Sequence, residues 1–142
     1  MNCFLLCDDC QKRTIYIKGN ENKCTFCKNK IQIERKIENL VIALNNVGII
    51  TSASCGGHKD GFDYGKRGYP CVVFLEEKGI YEKANEIVES YNEIKKNENC
   101  FFWTIKHEIT LSGWKPFIFP EEKNSKDFYK ETLLFAKYIG SL

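Results

Sequence analysis

The stretch FFWTIKHEITLSGWKPFIF, residues 101–119, decides the predicted fold. From 101 to 111 its residues alternate between an apolar and a polar face, which is the period-two pattern of a half-buried β-strand. Ser112-Gly113 is a turn signal, and residues 114–119, which are apolar except for Lys115, follow it as a second strand. Because Pro116 cannot donate to a ladder, we expect this second strand at a sheet edge. The stretch therefore predicts an antiparallel hairpin.

Helical and strand patterns precede and follow this hairpin. Apolar residues recur at three-and-four spacing in residues 31–47 and 80–94, which predicts two amphipathic helices. Residues 49–55 and 69–75 have the composition of strands, and a third helix is expected over 125–139 with Ser125 as its N-cap. The predicted order is α-ββ-α-ββ-α over residues 31–142. Short turns within the strand pairs favour an α+β fold, with helices packed on one face of a four-stranded, mainly antiparallel sheet.

Residues 1–30 carry the strongest functional motif, two C-x-x-C pairs joined by a short polar linker. This is the spacing of a tetrahedral zinc site, and a closed shell of four sulfurs leaves no position for substrate. Zinc is therefore the predicted cofactor, in a structural role, and it would hold a hairpin in which residues 12–18 form a strand and Gly19-Asn20 form the turn before Cys24. The segment resembles zinc ribbons, except that Gln11 and Lys28 stand where a glycine commonly follows the second cysteine. The predicted ligands are Cys7, Cys10, Cys24 and Cys27.

Composition restricts the class of protein. The 142 residues are 43% hydrophobic and 28% charged, as in soluble globular proteins, and no apolar run approaches the ~20 residues that span a bilayer. With eight cysteines and no secretory leader, metal ligation in a reducing cytoplasm is favoured over disulfides. The formal net charge is only +2, so binding to nucleic acid would need a local basic patch.

Residues 58–68 supply such a patch. They combine glycines, cations and aromatic residues, which suits an anionic and partly planar ligand, a nucleic acid or a nucleotide. A solvated surface loop is the alternative interpretation. The candidate ligand-binding residues are Lys59, Tyr64, Lys66 and Arg67.

The segment Ser54-Cys55-Gly56-Gly57-His58 is a second candidate site, because a glycine turn could bring the thiol and the imidazole together. Three interpretations remain open. The first is a second metal site that uses Cys55 and His58 together with Cys71 or His107. The second is a nucleophilic Cys55 activated by His58. The third is a small buried cysteine beside a turn. Cys55 is expected to share an inward strand face with Thr51, and it would meet His107 if their strands were neighbours.

Residues 44–58, which end in Thr51-Ser52-Ala53-Ser54-Cys55-Gly56-Gly57-His58, and the strand at 69–74 resemble a pattern in small uncharacterised proteins of Gram-positive bacteria and their phages. These proteins carry a Thr-x-x-Ser-Cys-x-Gly-His strand end. The segment also resembles the Thr-Ser-Ser-Cys-Ser-Gly segment of the tRNA wybutosine-synthesising methyltransferase family, although Gly57-His58 stands where that family has Gly-Arg. The second resemblance implies RNA as a substrate.

Three function hypotheses follow. The first is a zinc-stabilised binding protein for an anionic ligand, nucleic acid or nucleotide. The second is an enzyme that uses Cys55 and His58, with RNA as the implied substrate. The third is a phage-encoded inhibitor or adaptor that binds a host protein through exposed aromatic residues in 114–119.

Overall fold

A computed structural model describes residues 2–58, 68–98, 101–121 and 127–142. Within them the chain is an α+β protein in which four short strands precede the α-ββ-α-ββ-α succession, so the predicted order is matched in part. The third helix has Asp127 as its N-cap, whose side chain accepts a hydrogen bond from the Lys130 N–H. The predicted cap Ser125 lies outside the described residues. The elements are β1 (Asn2–Leu6), β2 (Arg13–Ile17), β3 (Asn22–Lys23), β4 (Lys30–Ile31), α1 (Arg35–Asn46), β5 (Thr51–Cys55), β6 (Cys71–Phe74), α2 (Ile80–Lys95), β7 (Trp103–Thr110), β8 (Gly113–Pro120) and α3 (Phe128–Gly140).

The main sheet has the strand order β5-β6-β8-β7 and is antiparallel throughout. The predicted hairpin is confirmed as β7–β8, which is in register from Thr110 opposite Gly113 to Trp103 opposite Pro120. The edge position expected for β8 is wrong, because β8 lies between β6 and β7. Its pairing with β6 includes only Phe117 and Ile118, so Pro116 lies beyond the last pair of that ladder. A central strand can therefore contain this proline.

All three helices contribute to one core against one face of the sheet. Val72, Phe74 and Ile118 point into this core, together with Trp103, whose ring stacks on Phe135 of α3 at a centroid distance of 4.9 Å. Side chains alternate between the two faces of a strand, so the neighbours of these residues face the other way.

No helix within the described residues is long and apolar enough to cross a membrane.

The opposite face of the sheet carries a second buried cluster, formed by Tyr69, Cys71, Val73, Phe117 and Phe119. The expectation that residues 114–119 present an exposed aromatic patch is therefore wrong for two of its three aromatics, because Phe117 and Phe119 are buried. Trp114 is exposed, at the end of the β7–β8 hairpin.

The amino-terminal module, residues 2–31, consists of two small hairpins, β1–β2 and β3–β4. The hairpin expected between the two cysteine pairs, with its turn at Gly19-Asn20, is wrong, because the strand at 13–17 pairs with β1, which precedes the first cysteine pair. Cys3, Leu5 and Tyr16 of this module belong to the same buried core as α1, and β4 straddles the boundary predicted at residue 30. The module therefore shares its core with the rest of the chain.

Candidate functional site

The two C-x-x-C pairs form turns with the same backbone hydrogen bonds. In the first turn, Cys7 N–H donates to the Lys12 carbonyl and Gln11 N–H donates to the Cys7 carbonyl, each at 2.9 Å. In the second turn, Cys24 N–H donates to the Asn29 carbonyl at 2.9 Å and Lys28 N–H donates to the Cys24 carbonyl at 3.0 Å. Each pair therefore lies at the tip of one small hairpin, and the two tips face each other.

Gln11 and Lys28, which replace the expected glycines, have positive φ angles of 61° and 67°. This left-handed conformation is the one for which glycine is preferred, and it costs other residues roughly 1–2 kcal/mol. Both side chains fold back onto their own turn in the same way. Gln11 Nε2 donates to the Asp8 carbonyl at 2.8 Å, and Lys28 Nζ donates to the Thr25 carbonyl at 2.9 Å. These hydrogen bonds offset part of the backbone strain.

The turns bring four sulfur atoms together at distances that suit a metal ion. Cys7 Sγ lies 3.7 Å from Cys27 Sγ, Cys10 Sγ lies 3.5 Å from Cys24 Sγ, and all four sulfurs lie within 4.8 Å of one another. A tetrahedral ion with metal–sulfur bonds of about 2.3 Å needs sulfurs about 3.8 Å apart. The four thiols are free, with none in a disulfide. The cluster could therefore hold a metal ion.

Backbone amides favour the thiolate form that metal ligation requires. A hydrogen bond from the Cys27 N–H is the largest cause that lowers the pKa of Cys24 to about 6. Phe26 N–H also donates to the Cys24 sulfur, at 3.4 Å. A backbone hydrogen bond also lowers the pKa of Cys10 and of Cys27, but burial and the neighbouring thiols outweigh it and raise the pKa of both. Because a metal ligand must be deprotonated, such donors increase affinity for a metal at neutral pH.

Side-chain contacts fix the cluster to the rest of the protein. Thr14 of β2 hydrogen bonds to Thr25 through their hydroxyl groups at 2.7 Å, which joins the two hairpins beside the sulfurs. The Tyr16 hydroxyl donates to Glu38 of α1. Burial, and then this neighbouring carboxylate, raise the pKa of Tyr16. These contacts thus join the two hairpins to each other and, through Tyr16, join the module to α1.

A second group of potential metal ligands consists of Glu34, Cys55 and His58, with one donor atom of each within 4.8 Å of the others. His58 Nε2 lies 3.0 Å from Glu34 Oε1, and Gly56 N–H donates to Glu34 Oε2 at 2.9 Å. The sequence brings Cys55 and His58 together through the predicted glycine turn. Glu34 comes from the start of α1, and no local spacing pattern connects it with residues more than twenty positions later.

Cys71 and His107, the other predicted members of a second metal site, do not join this group. Cys71 is opposite Cys55 in the β5–β6 register, but it is buried in the second cluster. His107 lies on β7, at the far edge of the sheet from β5, where its Nε2 is 2.7 Å from Glu76 Oε1 and its ring stacks on Tyr81. The strands that carry Cys55 and His107 are not neighbours, so the condition for a contact between these two residues is not met.

An irregularity in β5 places Cys55 on the face opposite to the expected one. The register shifts between Thr51, which is opposite Phe74, and Ala53, which is opposite Val73. A strand with one extra residue changes the face of every residue that follows. Thr51 is consequently buried, whereas Cys55 is half-buried beside the second cluster. The expectation that Thr51 and Cys55 share an inward face is wrong.

The predicted anion-binding residues Lys59, Tyr64, Lys66 and Arg67 lie outside the described residues. A groove of about 920 Å³ nevertheless lies between the amino-terminal module and the start of α1. Its charged lining consists of Lys18, Lys23, Lys30, Arg35, Glu21, Glu34 and Glu38. Two of the three carboxylates already have internal partners, since Glu34 contacts Gly56 and His58, and Glu38 accepts from Tyr16.

Comparisons of this chain with protein-family models, with curated proteins and with solved structures found no match.

Proposed function

We propose that the amino-terminal module is a zinc ribbon and that Cys7, Cys10, Cys24 and Cys27 bind one structural Zn²⁺. The observation that carries this proposal is the group of four sulfurs, positioned by two equivalent turns at separations close to those of tetrahedral zinc–sulfur coordination. A site of four thiolates has no free coordination position, so the ion stabilises the fold and does not take part in a reaction.

Metal analysis of the purified protein tests the zinc proposal. We expect Cys24→Ser to remove one bound zinc per chain and to lower the melting temperature by about as much as a strong chelator does. Cys3→Ala is the matched control, because Cys3 is a buried thiol outside the sulfur cluster. A Cys24→Ser protein that retains all its zinc would contradict the proposal.

We further propose that the module and α1 together bind an anionic ligand, a nucleic acid or a nucleotide, in the groove between them. Support comes from the charges of its lining. Within the described part of the chain, no carboxylate lies within ion-pair distance of Lys23, Lys30 or Arg35, and all three side chains are exposed. Exposed cations that lack internal partners can neutralise phosphates without losing existing contacts.

Binding of a fluorescent single-stranded RNA, with ATP as competitor, tests this function. The triple variant Lys23→Gln, Lys30→Gln, Arg35→Gln should weaken binding at least tenfold and reduce the dependence of affinity on salt, since each lost phosphate contact lowers that slope by roughly 0.7 for single strands. The matched control is Lys78→Gln, Lys106→Gln, Lys137→Gln, which removes the same charge from exposed positions outside the groove. Equal losses in the two triple variants would refute a role for the groove.

A further inference from the structure

At the end of β5, Glu34, Cys55 and His58 bring a carboxylate, a thiol and an imidazole together from two segments of the backbone, the start of α1 and the turn after β5. We propose that these three side chains form a second site for a divalent transition-metal ion, separate from the four-cysteine cluster and with an open coordination position. The three donor types are the ones that zinc accepts in proteins. The proposal does not depend on the groove function.

The backbone at this site is shaped so that the three donors can meet. Gly56 lies so close to the start of α1 that a Cβ added there would be 2.7 Å from Lys36 Cβ and 3.0 Å from Glu34 Oε2. Gly57 has a φ of +91°, and a Cβ there would be 3.1 Å from the Tyr69 carbonyl carbon. The first glycine lets β5 reach Glu34, and the second lets the chain turn so that His58 returns beside Cys55.

Glu34 is oriented toward the cluster and away from its own helix. It occupies the N-cap position of α1, yet its side chain makes no capping hydrogen bond. The preferred N-cap residues are Ser, Thr, Asp and Asn, whose short side chains reach the first turn. Instead, Glu34 Oε2 accepts from the Gly56 N–H, which leaves Oε1 directed at His58. A hydrogen bond that fixes a ligand in this way is typical of metal sites.

The distances require only small adjustments for an ion. His58 Nε2 and Glu34 Oε1 are 3.0 Å apart, whereas two ligands about 2.0 Å from a tetrahedral ion lie about 3.3 Å apart. The same geometry places a thiolate sulfur about 3.5 Å from each of the other donors. The thiol of Cys55 lies within 4.8 Å of one donor atom of each of the other two residues, so the sulfur must come closer by no more than about 1.3 Å to reach that distance. An ion can thus take the place of the hydrogen bond between His58 and Glu34.

Three ligands leave a tetrahedral ion with one position open, and the site is accessible. The side chains of His58 and Glu34 are 34% and 41% exposed. A metal ion held by three protein ligands with a fourth position for water or substrate is the arrangement of catalytic zinc sites, in contrast to closed structural sites. The second site therefore has the coordination needed to bind an external ligand.

Metal titration of the full chain tests the proposal. Metal-free wild-type protein titrated with Co²⁺ alone should bind two ions, and His58→Gln and Glu34→Gln should each weaken the second ion by roughly 100-fold or more while the first ion remains. Cys55→Ser should also reduce the thiolate-to-cobalt charge-transfer absorbance by the amount that one thiolate ligand contributes. His107→Gln is the matched control, because it removes the other histidine of the chain, which contacts Glu76, and it should leave two ions bound.

Several results would overturn the proposal. Binding of a single ion by the wild type is one, and retention of the second ion by both His58→Gln and Glu34→Gln is another. Circular dichroism of each variant, together with its first bound ion, verifies that it is folded. If the wild type binds one ion and Cys55 is alkylated by iodoacetamide faster than ordinary exposed thiols, the cluster is instead an activated thiol oriented through His58 and Glu34.

Discussion

Gly56 should be one of the least replaceable residues at the end of β5, and Gly56→Ala measures how closely β5 approaches α1. The new methyl group would lie 2.7 Å from Lys36 Cβ, whereas carbon atoms in contact are ordinarily about 3.5–4.0 Å apart. The distance between the new methyl group and Lys36 Cβ must therefore increase by about 1 Å. Lys36 Cβ is attached directly to the backbone of the first turn of α1, so rotation of the lysine side chain cannot supply this distance.

The expected cost is that of overpacking, about 1–3 kcal/mol, because the end of β5 must separate from the start of α1. At roughly 3 °C per kcal/mol for a chain of this size, the melting temperature should fall by about 3–9 °C. The same movement separates Glu34 from Gly56 and His58. We therefore expect the second Co²⁺ ion to bind more weakly in Gly56→Ala, alongside the loss of stability.

Gly79→Ala is the matched control. Gly79 has a φ of +87°, and an added Cβ would meet nothing within 4 Å, so its cost is backbone strain alone, about 1–2 kcal/mol. Thermal unfolding followed by circular dichroism gives both values, and the cobalt titration shows which variant affects the cluster. The reasoning is refuted if Gly56→Ala keeps both the wild-type melting temperature and the wild-type affinity for the second ion.

Three further predictions concern single side chains. Lys28→Gly should stabilise the metal-loaded protein by about 0.5–1 kcal/mol in urea unfolding, because glycine removes the backbone strain at a φ of 67°. A large loss of stability would show that the hydrogen bond from Lys28 to the Thr25 carbonyl outweighs that strain. Tyr91→Phe should be neutral or stabilising by up to about 1 kcal/mol, since the buried Tyr91 hydroxyl has no hydrogen-bond partner in the described part of the chain, and a clear destabilisation in the same assay would be contrary to this. Burial and Glu38 raise the pKa of Tyr16 above its ordinary value of about 10, so its stabilising effect is complete below pH 10 and is lost as the pH rises further, because only the unfolded chain then releases the proton. The urea midpoint of Tyr16→Phe should accordingly fall less between pH 9 and 11 than that of the wild type, and equal falls would contradict the assignment.

Local patterns determined much of the fold. Alternation over residues 103–110 specifies β7, and the Ser112-Gly113 turn specifies its hairpin with β8, because strand pairing across a short turn depends on adjacent residues. Three-and-four spacing located α1, α2 and α3 to within a few residues of their observed ends. The two C-x-x-C pairs likewise contained the whole four-sulfur cluster, since each pair is made by one local turn.

What the sequence could not determine was the set of contacts between distant segments. β8 is a central strand because β6 pairs with its residues Phe117 and Ile118, which follow Pro116. In the sequence, a proline indicates only that its own backbone nitrogen has no hydrogen to donate. The irregularity after Thr51 turns Cys55 to the opposite face of the sheet. The amino-acid composition of a strand does not show such a one-residue shift in register. Glu34 reaches His58 only because α1 begins where β5 ends. By itself the sequence determined the three helices, the strands of the main sheet and the four-cysteine cluster, which depend on neighbouring residues. The tertiary structure alone decided the strand order and the Glu34–Cys55–His58 cluster, which depend on how those elements pack.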